Sequence, residues 1–91
     1  MEANNTCVWE YRLREGLTRL SIPEGGKILS LRPDEGFGAI IYVLVDADGK
    51  EQERVFTTCR SGQRRAIDPY AEYVGTVITS KSSEAVHFFE V

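Results

Sequence analysis

The chain has 91 residues, of which 42% are hydrophobic and 27% charged, and its formal net charge is −3 at pH 7. This length allows one small domain with a single core. The 14 acidic residues outnumber the 11 basic ones, which disfavours duplex DNA as a partner because no general positive field attracts phosphates. The longest apolar stretch, residues 39–45, is only strand-sized, and residues 1–6 are polar, so we expect no membrane span and no secretion signal.

Period-two alternation predicts short strands in the first third of the chain. Between Val8 and Arg14, the residues Trp9, Tyr11 and Leu13 alternate with charged residues, so Trp9 is expected to point into the core. The strands expected here cover residues 8–14, 17–22 and 28–31, with a break at residues 15–16 and turns containing Pro and Gly at 23–26 and 32–36. We expect residues 1–6 to be a flexible terminus and residues 7–91 to form a single β domain.

Residues 37–45 are apolar on both faces and rich in Ile, Val and Tyr, which predicts a central strand buried on both sides. Residues 46–49 predict a hairpin loop in which Gly49 takes the left-handed conformation and leads into a strand over residues 51–59. We assign Asp46 and Asp48 to this turn, because the other ligands of a calcium loop are missing at the required spacing.

Residues 73–79 and 85–91 predict a terminal hairpin, which brings the number of short strands to about seven. Because no segment shows a sustained helical stripe, we predict an all-β fold, a single small antiparallel β-sandwich or partly open barrel. The expected buried core residues are Trp9, Ile41, Val43, Phe56, Val77 and Phe89.

Residues 60–72 predict a long loop whose first part is strongly basic. Its candidate ligand- or partner-binding residues are Arg60, Ser61, Gly62, Gln63, Arg64 and Arg65. Guanidinium groups are planar and suit phosphate or carboxylate recognition. The alternative is a solvated loop whose arginines pair with Asp34, Glu35 or Asp68. We expect one short helical turn at most after Asp68.

The sequence contains no complete catalytic or metal-binding constellation. His87 is the only imidazole and lies in an alternating run, which is typical of a structural histidine at the edge of a core; a thiol–imidazole pair with Cys59 is the weaker alternative. Cys7 and Cys59 lack metal or redox spacing, so we expect reduced cytosolic thiols. We therefore predict no catalytic residues, no metal, no cofactor and no enzymatic activity.

Short motifs follow one another along nearly the whole chain: Trp9-x-Tyr11-x-Leu13, Ile22-Pro23-x-Gly25-Gly26-Lys27-Ile28-Leu29-Ser30-Leu31, Leu44-Val45-Asp46, Arg54-x-Phe56, Tyr73-Val74-Gly75-Thr76-Val77 and Val86-His87-Phe88-Phe89-Glu90. In order and spacing, the set resembles a family of short β-rich proteins encoded by bacteriophages, to which no activity is assigned. The resemblance is poorest at residues 59–66, where this chain is more basic, and at Tyr42, where the family commonly has Trp.

The resemblance implies a phage protein that works in the cytoplasm of its bacterial host, and it carries over no catalytic residue. The leading hypothesis is a non-enzymatic accessory protein that binds and inhibits a bacterial host protein or an anti-phage defence complex. The alternatives are a sponge that sequesters a phosphorylated signalling nucleotide through Arg60, Arg64 and Arg65, and a minor virion structural protein. Neither the target nor the oligomeric state follows from the sequence.

Overall fold

The computed structural model describes residues 5–36, 38–79 and 83–91, and its strands are all antiparallel. The strands are β1 (Thr6–Leu13), β2 (Thr18–Pro23), β3 (Lys27–Pro33), β4 (Ala39–Asp46), β5 (Glu51–Arg60), β6 (Glu72–Ile78) and β7 (Ala85–Glu90). A three-stranded sheet has the order β1-β4-β3, and a four-stranded sheet has the order β2-β5-β7-β6. The all-β prediction is confirmed, with two sheets and no closed barrel.

The predicted central strand is confirmed as β4, which pairs with β1 on one side and β3 on the other. Its inner face carries the fully buried Ile41, Val43 and Val45. On its outer face only Ile40 is buried, while Tyr42 is half-buried. The strand is therefore covered on both sides only near its start, because no second layer lies over the outer face of the three-stranded sheet in the described part of the chain.

The core lies between the two sheets. The predicted burial of Ile41, Val43, Phe56 and Val77 is confirmed. The prediction for Phe89 is wrong, because Val86 and Phe88 face the core and are fully buried. The alternate residues of β7, which include Phe89, therefore lie on the outer face of the four-stranded sheet.

The predicted burial of Trp9 is also wrong, since its side chain is 38% exposed. Trp9 lies opposite the fully buried Val43 in the β1–β4 register, so it does point to the inner side of its sheet. Strand β1, however, is an edge strand that packs mainly against β4. An edge position leaves the indole incompletely covered.

The predicted hairpin between β4 and β5 is wrong, because β4 pairs with β1 and β3 whereas β5 pairs with β2 and β7. The turn at residues 46–49 instead connects the two sheets, and Gly49 does not take the left-handed conformation. The Asp48 amide donates to Asp46 Oδ1 at 3.1 Å, and the Gly49 amide donates to the Asp46 carbonyl at 2.9 Å. Both bonds are typical of a turn built on an aspartate. A Cβ at this position would lie 3.0 Å from the Asp46 carbonyl oxygen, a tight contact that favours glycine.

The predicted long loop begins one residue later than expected, because Arg60 is the last residue of β5. A single turn follows Asp68, where the Ala71 amide donates to the Asp68 carbonyl at 2.9 Å. Predictions that concern residues 1–4, Phe37 and residues 80–82 lie outside the described residues.

The described residues include no helix of the length and apolarity that crossing a membrane requires.

Candidate functional site

Arg60 is separated from the other arginines of the basic loop by its position in β5. Its Nε donates to Glu15 Oε1 at 2.6 Å, and its Nη1 lies 3.5 Å from Glu84 Oε2. The hydrogen bond to Glu15 is the main cause of its raised pKa. In the alternative interpretation the arginines of the loop pair with Asp34, Glu35 or Asp68, whereas Arg60 pairs with Glu15 and Glu84, which are distant from it in sequence. Its charge is already neutralised within the protein.

Ser61 directly follows β5 and begins a chain of hydrogen bonds that runs across β7 to β6 in the four-stranded sheet. Its Oγ lies 2.8 Å from His87 Nε2, and His87 Nδ1 lies 2.8 Å from Thr76 Oγ1. The Thr76 hydroxyl in turn lies 2.6 Å from the Tyr73 hydroxyl. Both ring nitrogens of His87 are thus hydrogen-bonded, as expected of a structural histidine, but the ring lies on the outer face of the sheet rather than at the edge of the core.

Cys59 lies beside His87 in the β5–β7 register, but its thiol contacts backbone carbonyl groups of the loop. Its Sγ lies 3.4 Å from the Gln63 carbonyl oxygen and 3.5 Å from the Arg60 carbonyl oxygen. Because the two nitrogens of His87 bond to Ser61 and Thr76, neither nitrogen is hydrogen-bonded to the Cys59 thiol. Among the described residues, no group of three or more His, Cys, Asp and Glu side chains is placed to hold a metal ion.

Gly62 and Gln63 form a tight turn at the start of the loop, in which Gln63 bonds back to Arg60. Gly62 has a φ of 81°, a left-handed conformation that favours glycine. The Gln63 amide nitrogen donates to the Arg60 carbonyl at 3.0 Å, and Gln63 Oε1 accepts from the Arg60 amide at 3.1 Å. Gln63 therefore uses its side-chain oxygen to hold the loop. Arg64 and Arg65 follow this turn and are exposed, and neither has an ion pair within the described ranges.

Sequence reasoning missed an exposed apolar surface next to this loop. Tyr73 is 62% exposed and Ile78 is 57% exposed, and both lie on the outer side of the four-stranded sheet. The rings of Tyr73 and Phe89 meet edge to face, with centroids 5.8 Å apart. We call the surface formed by Tyr73, Thr76, Ile78, His87 and Phe89 the β6–β7 face. The sequence of β7 places a phenylalanine on each of its two faces, Phe88 on one and Phe89 on the other. This pattern indicates that an aromatic side chain also lies on the face that does not contact the core.

A cleft of about 290 Å³ is lined in part by Tyr73, and two larger clefts of the sandwich lie away from this surface. One has a volume of about 640 Å³ and is lined by side chains of both charges, among them Arg14, Glu15 and Asp34. The other has a volume of about 530 Å³ and surrounds the ion pair of Arg54 and Glu90. Neither cleft is lined by a described residue of the 60–65 loop or of the β6–β7 face.

The fold and this surface define a small antiparallel β-sandwich that displays aromatic and aliphatic side chains on the outer side of one sheet. Residues 4–91 match the model of a domain of unknown function, DUF7352, and the chain belongs to this family. No curated protein and no solved structure matches the chain.

Proposed function

We propose that this chain is a small, non-enzymatic, phage-encoded accessory protein that binds and inhibits a bacterial host protein or an anti-phage defence complex, and that the β6–β7 face with Arg64 and Arg65 is its binding surface. The supporting observation is the hydrogen-bond chain from Ser61 through His87 and Thr76 to Tyr73. It holds the start of the basic loop beside the exposed tyrosine. Tyrosine and arginine are enriched among the residues that dominate protein–protein binding.

The surface is held in place before a partner arrives. Strand pairing fixes Thr76 and His87 opposite each other, and the Gln63 side chain restricts the turn that precedes Arg64. A surface that is already ordered loses less conformational entropy on binding. The two exposed guanidinium groups on a chain of net charge −3 favour a partner with an acidic rim around an apolar centre.

A nucleotide sponge is the second candidate, supported by Arg64 and Arg65, which have no ion pair in the described part of the chain. Sequestering a phosphorylated ligand favours a concave site with convergent polar groups. Arg60, however, is bonded to Glu15 and Glu84, and the loop lies outside the clefts described above. The geometry therefore favours a macromolecular partner over a small phosphate ligand.

The test begins with capture of a partner from host lysate, followed by binding measurements with the purified partner. We expect Tyr73→Ala to weaken binding about tenfold or more, as for an interface hot spot. Arg64→Glu/Arg65→Glu should mainly slow association and reduce its salt dependence. Leu17→Ala removes a side chain that is 57% exposed in the chain segment before β2 and serves as the matched control.

Equal affinity of all these variants would contradict the proposed surface. The sponge is tested separately by thermal melts with phosphorylated nucleotides. Sequestration would raise the melting temperature by mass action, less so at high salt, and Arg64→Glu/Arg65→Glu would abolish the rise. Such a result would support the sponge in place of the proposed function.

A further inference from the structure

Strand β1 is a sheet edge that has no proline, glycine or bulge. It pairs with β4 without a register shift from Thr6↔Asp46 to Leu13↔Ala39, and no described strand pairs with its other side. Edge strands commonly carry proline, bulges or other features that prevent pairing with another chain. The other three edge strands have such features: β2 ends at Pro23, and β3 and β6 contain bulges. Strand β1 has no proline or glycine.

Apolar side chains are exposed along this same edge. Val8 is 50% exposed on the outer side of the sheet, and Trp9 is 38% exposed on the inner side, opposite the buried Val43. A neighbouring strand at this edge would cover the indole from its open side. Burial of large aromatic side chains contributes strongly to protein association.

The charges of β1 are complementary to those of a second, antiparallel β1. When the two-fold axis passes through Tyr11, Glu10 lies opposite Arg12 of the other copy, and this pair occurs twice. The same register places Trp9 opposite Leu13, so that apolar side chains meet on the inner side. Opposite charges facing each other across antiparallel strands are stabilising, and like charges are destabilising.

Other symmetric registers are poorer. An axis through Glu10 places the two Glu10 side chains opposite each other, and an axis through Arg12 does the same for the two arginines. An axis through Trp9 places Val8 opposite Glu10. Arg12 already approaches Asp34 at 3.4 Å, but its side chain is 78% exposed, and exposed ion pairs of this kind contribute little. Arg12 is therefore available to a second copy.

We propose that two copies of this chain associate through antiparallel pairing of their β1 strands around Tyr11, which joins their three-stranded sheets into one continuous sheet. Such an interface is isologous, as in most homodimers. It lies on the sheet opposite the β6–β7 face and does not depend on the function proposed above.

The test combines sedimentation equilibrium with the fluorescence of Trp9, the only tryptophan in the chain. We expect the wild-type protein to form dimers and its emission to move to shorter wavelength as concentration rises. Glu10→Arg faces Arg12 of the other copy and should give monomers. The double variant Glu10→Arg/Arg12→Glu restores opposite charges and should restore the dimer. Glu24→Arg changes the charge equally at an exposed turn outside β1 and is the control.

Circular dichroism establishes that each variant is folded before its mass is interpreted. A wild-type protein that stays monomeric up to its solubility limit overturns the proposal. A dimer that persists in folded Glu10→Arg, or one that Glu24→Arg disrupts equally, also overturns it. A dimer lost in the single variant and not recovered in the double variant overturns the register around Tyr11.

Discussion

Ser61 Oγ lies 2.8 Å from His87 Nε2, and this bond ties the first residue of the basic loop to the neighbouring strand. The imidazole continues through Nδ1 to Thr76, which bonds to the Tyr73 hydroxyl. The position of the loop therefore depends on the strand order β5-β7-β6 as well as on its own sequence.

Removal of the Ser61 hydroxyl should loosen the loop without unfolding the sandwich. We expect Ser61→Ala to lower the free energy of unfolding by about 1 kcal/mol, the usual net value of one hydrogen bond. The Gln63 amide, which donates to the Arg60 carbonyl, should exchange its proton faster. The control is Ser21→Ala, which removes an exposed hydroxyl bonded to Glu51 at 2.9 Å. Unchanged exchange at Gln63 would contradict the role of this bond.

The ion pair of Arg54 and Glu90 should contribute more to stability than the exposed ion pairs. Arg54 Nε and Nη2 donate to the two Glu90 oxygens at 2.6 and 2.7 Å, and Nη1 donates to the Gly26 carbonyl at 2.6 Å. The hydrogen bond to Glu90 is the main cause of the raised pKa of Arg54. We expect Glu90→Gln to destabilise the protein by about 2 kcal/mol, because it leaves a partly buried guanidinium without its counter-charge.

Urea unfolding at neutral pH measures this loss. The matched control is Glu53→Gln, which breaks a pair with Arg19 whose side chains are 61% and 64% exposed. We expect that change to reduce the unfolding free energy by less than about 1 kcal/mol. Equal losses for the two variants would show that burial does not strengthen the Arg54–Glu90 pair.

Trp9→Ala should destabilise the protein less than Phe88→Ala does. Phe88 is fully buried, and its truncation should cost about 3 to 5 kcal/mol. Trp9 is 38% exposed on an edge strand, so we expect a loss of about 2 kcal/mol, because less apolar surface returns to water. Urea unfolding followed by circular dichroism in dilute solution compares the two. A larger loss for Trp9→Ala would contradict the partial exposure of the indole.

Alternation in the sequence predicted the strands, but it did not predict which face of every strand is buried or how completely. In β4 both parities are apolar, and the strand is central as expected. In β7 both parities are also apolar, and the choice of Phe88 over Phe89 for the core depends on packing against the other sheet. Similarly, the alternation around Trp9 specifies the side to which it points, whereas its exposure follows from the edge position of β1 in the strand order.

The basic loop could be recognised from its sequence, but its connections could not. Arg60 pairs with Glu15 and Glu84, and Ser61 bonds to His87. All three partners are distant in sequence, and the strand order alone brings them near the loop. Composition thus identified Arg64 and Arg65 as exposed cations, while the β6–β7 face could be recognised only from the fold.

Tyr11 should make the protein less stable in alkaline solution. Its side chain is half-buried on the inner side of β1, and burial is the main cause of its pKa being raised above the ordinary value of 10.0. The negative charges of Glu51 and Cys7 raise the pKa further, and Arg54 partly offsets them. The folded protein therefore holds this proton more strongly than the unfolded chain does.

The contribution of Tyr11 to stability is complete below the unfolded pKa of 10.0 and declines as the pH rises through the higher folded pKa. We expect Tyr11→Phe to reduce the loss of unfolding free energy between about pH 9 and about pH 11, and to remove a phenolate absorbance component that titrates above the ordinary tyrosine range. Tyr70→Phe is the control, because Tyr70 is 91% exposed. Urea unfolding at several alkaline pH values measures the slope. If Tyr11→Phe and Tyr70→Phe gave the same slope as the wild-type protein, burial of the Tyr11 phenol would not be the cause of its alkaline sensitivity.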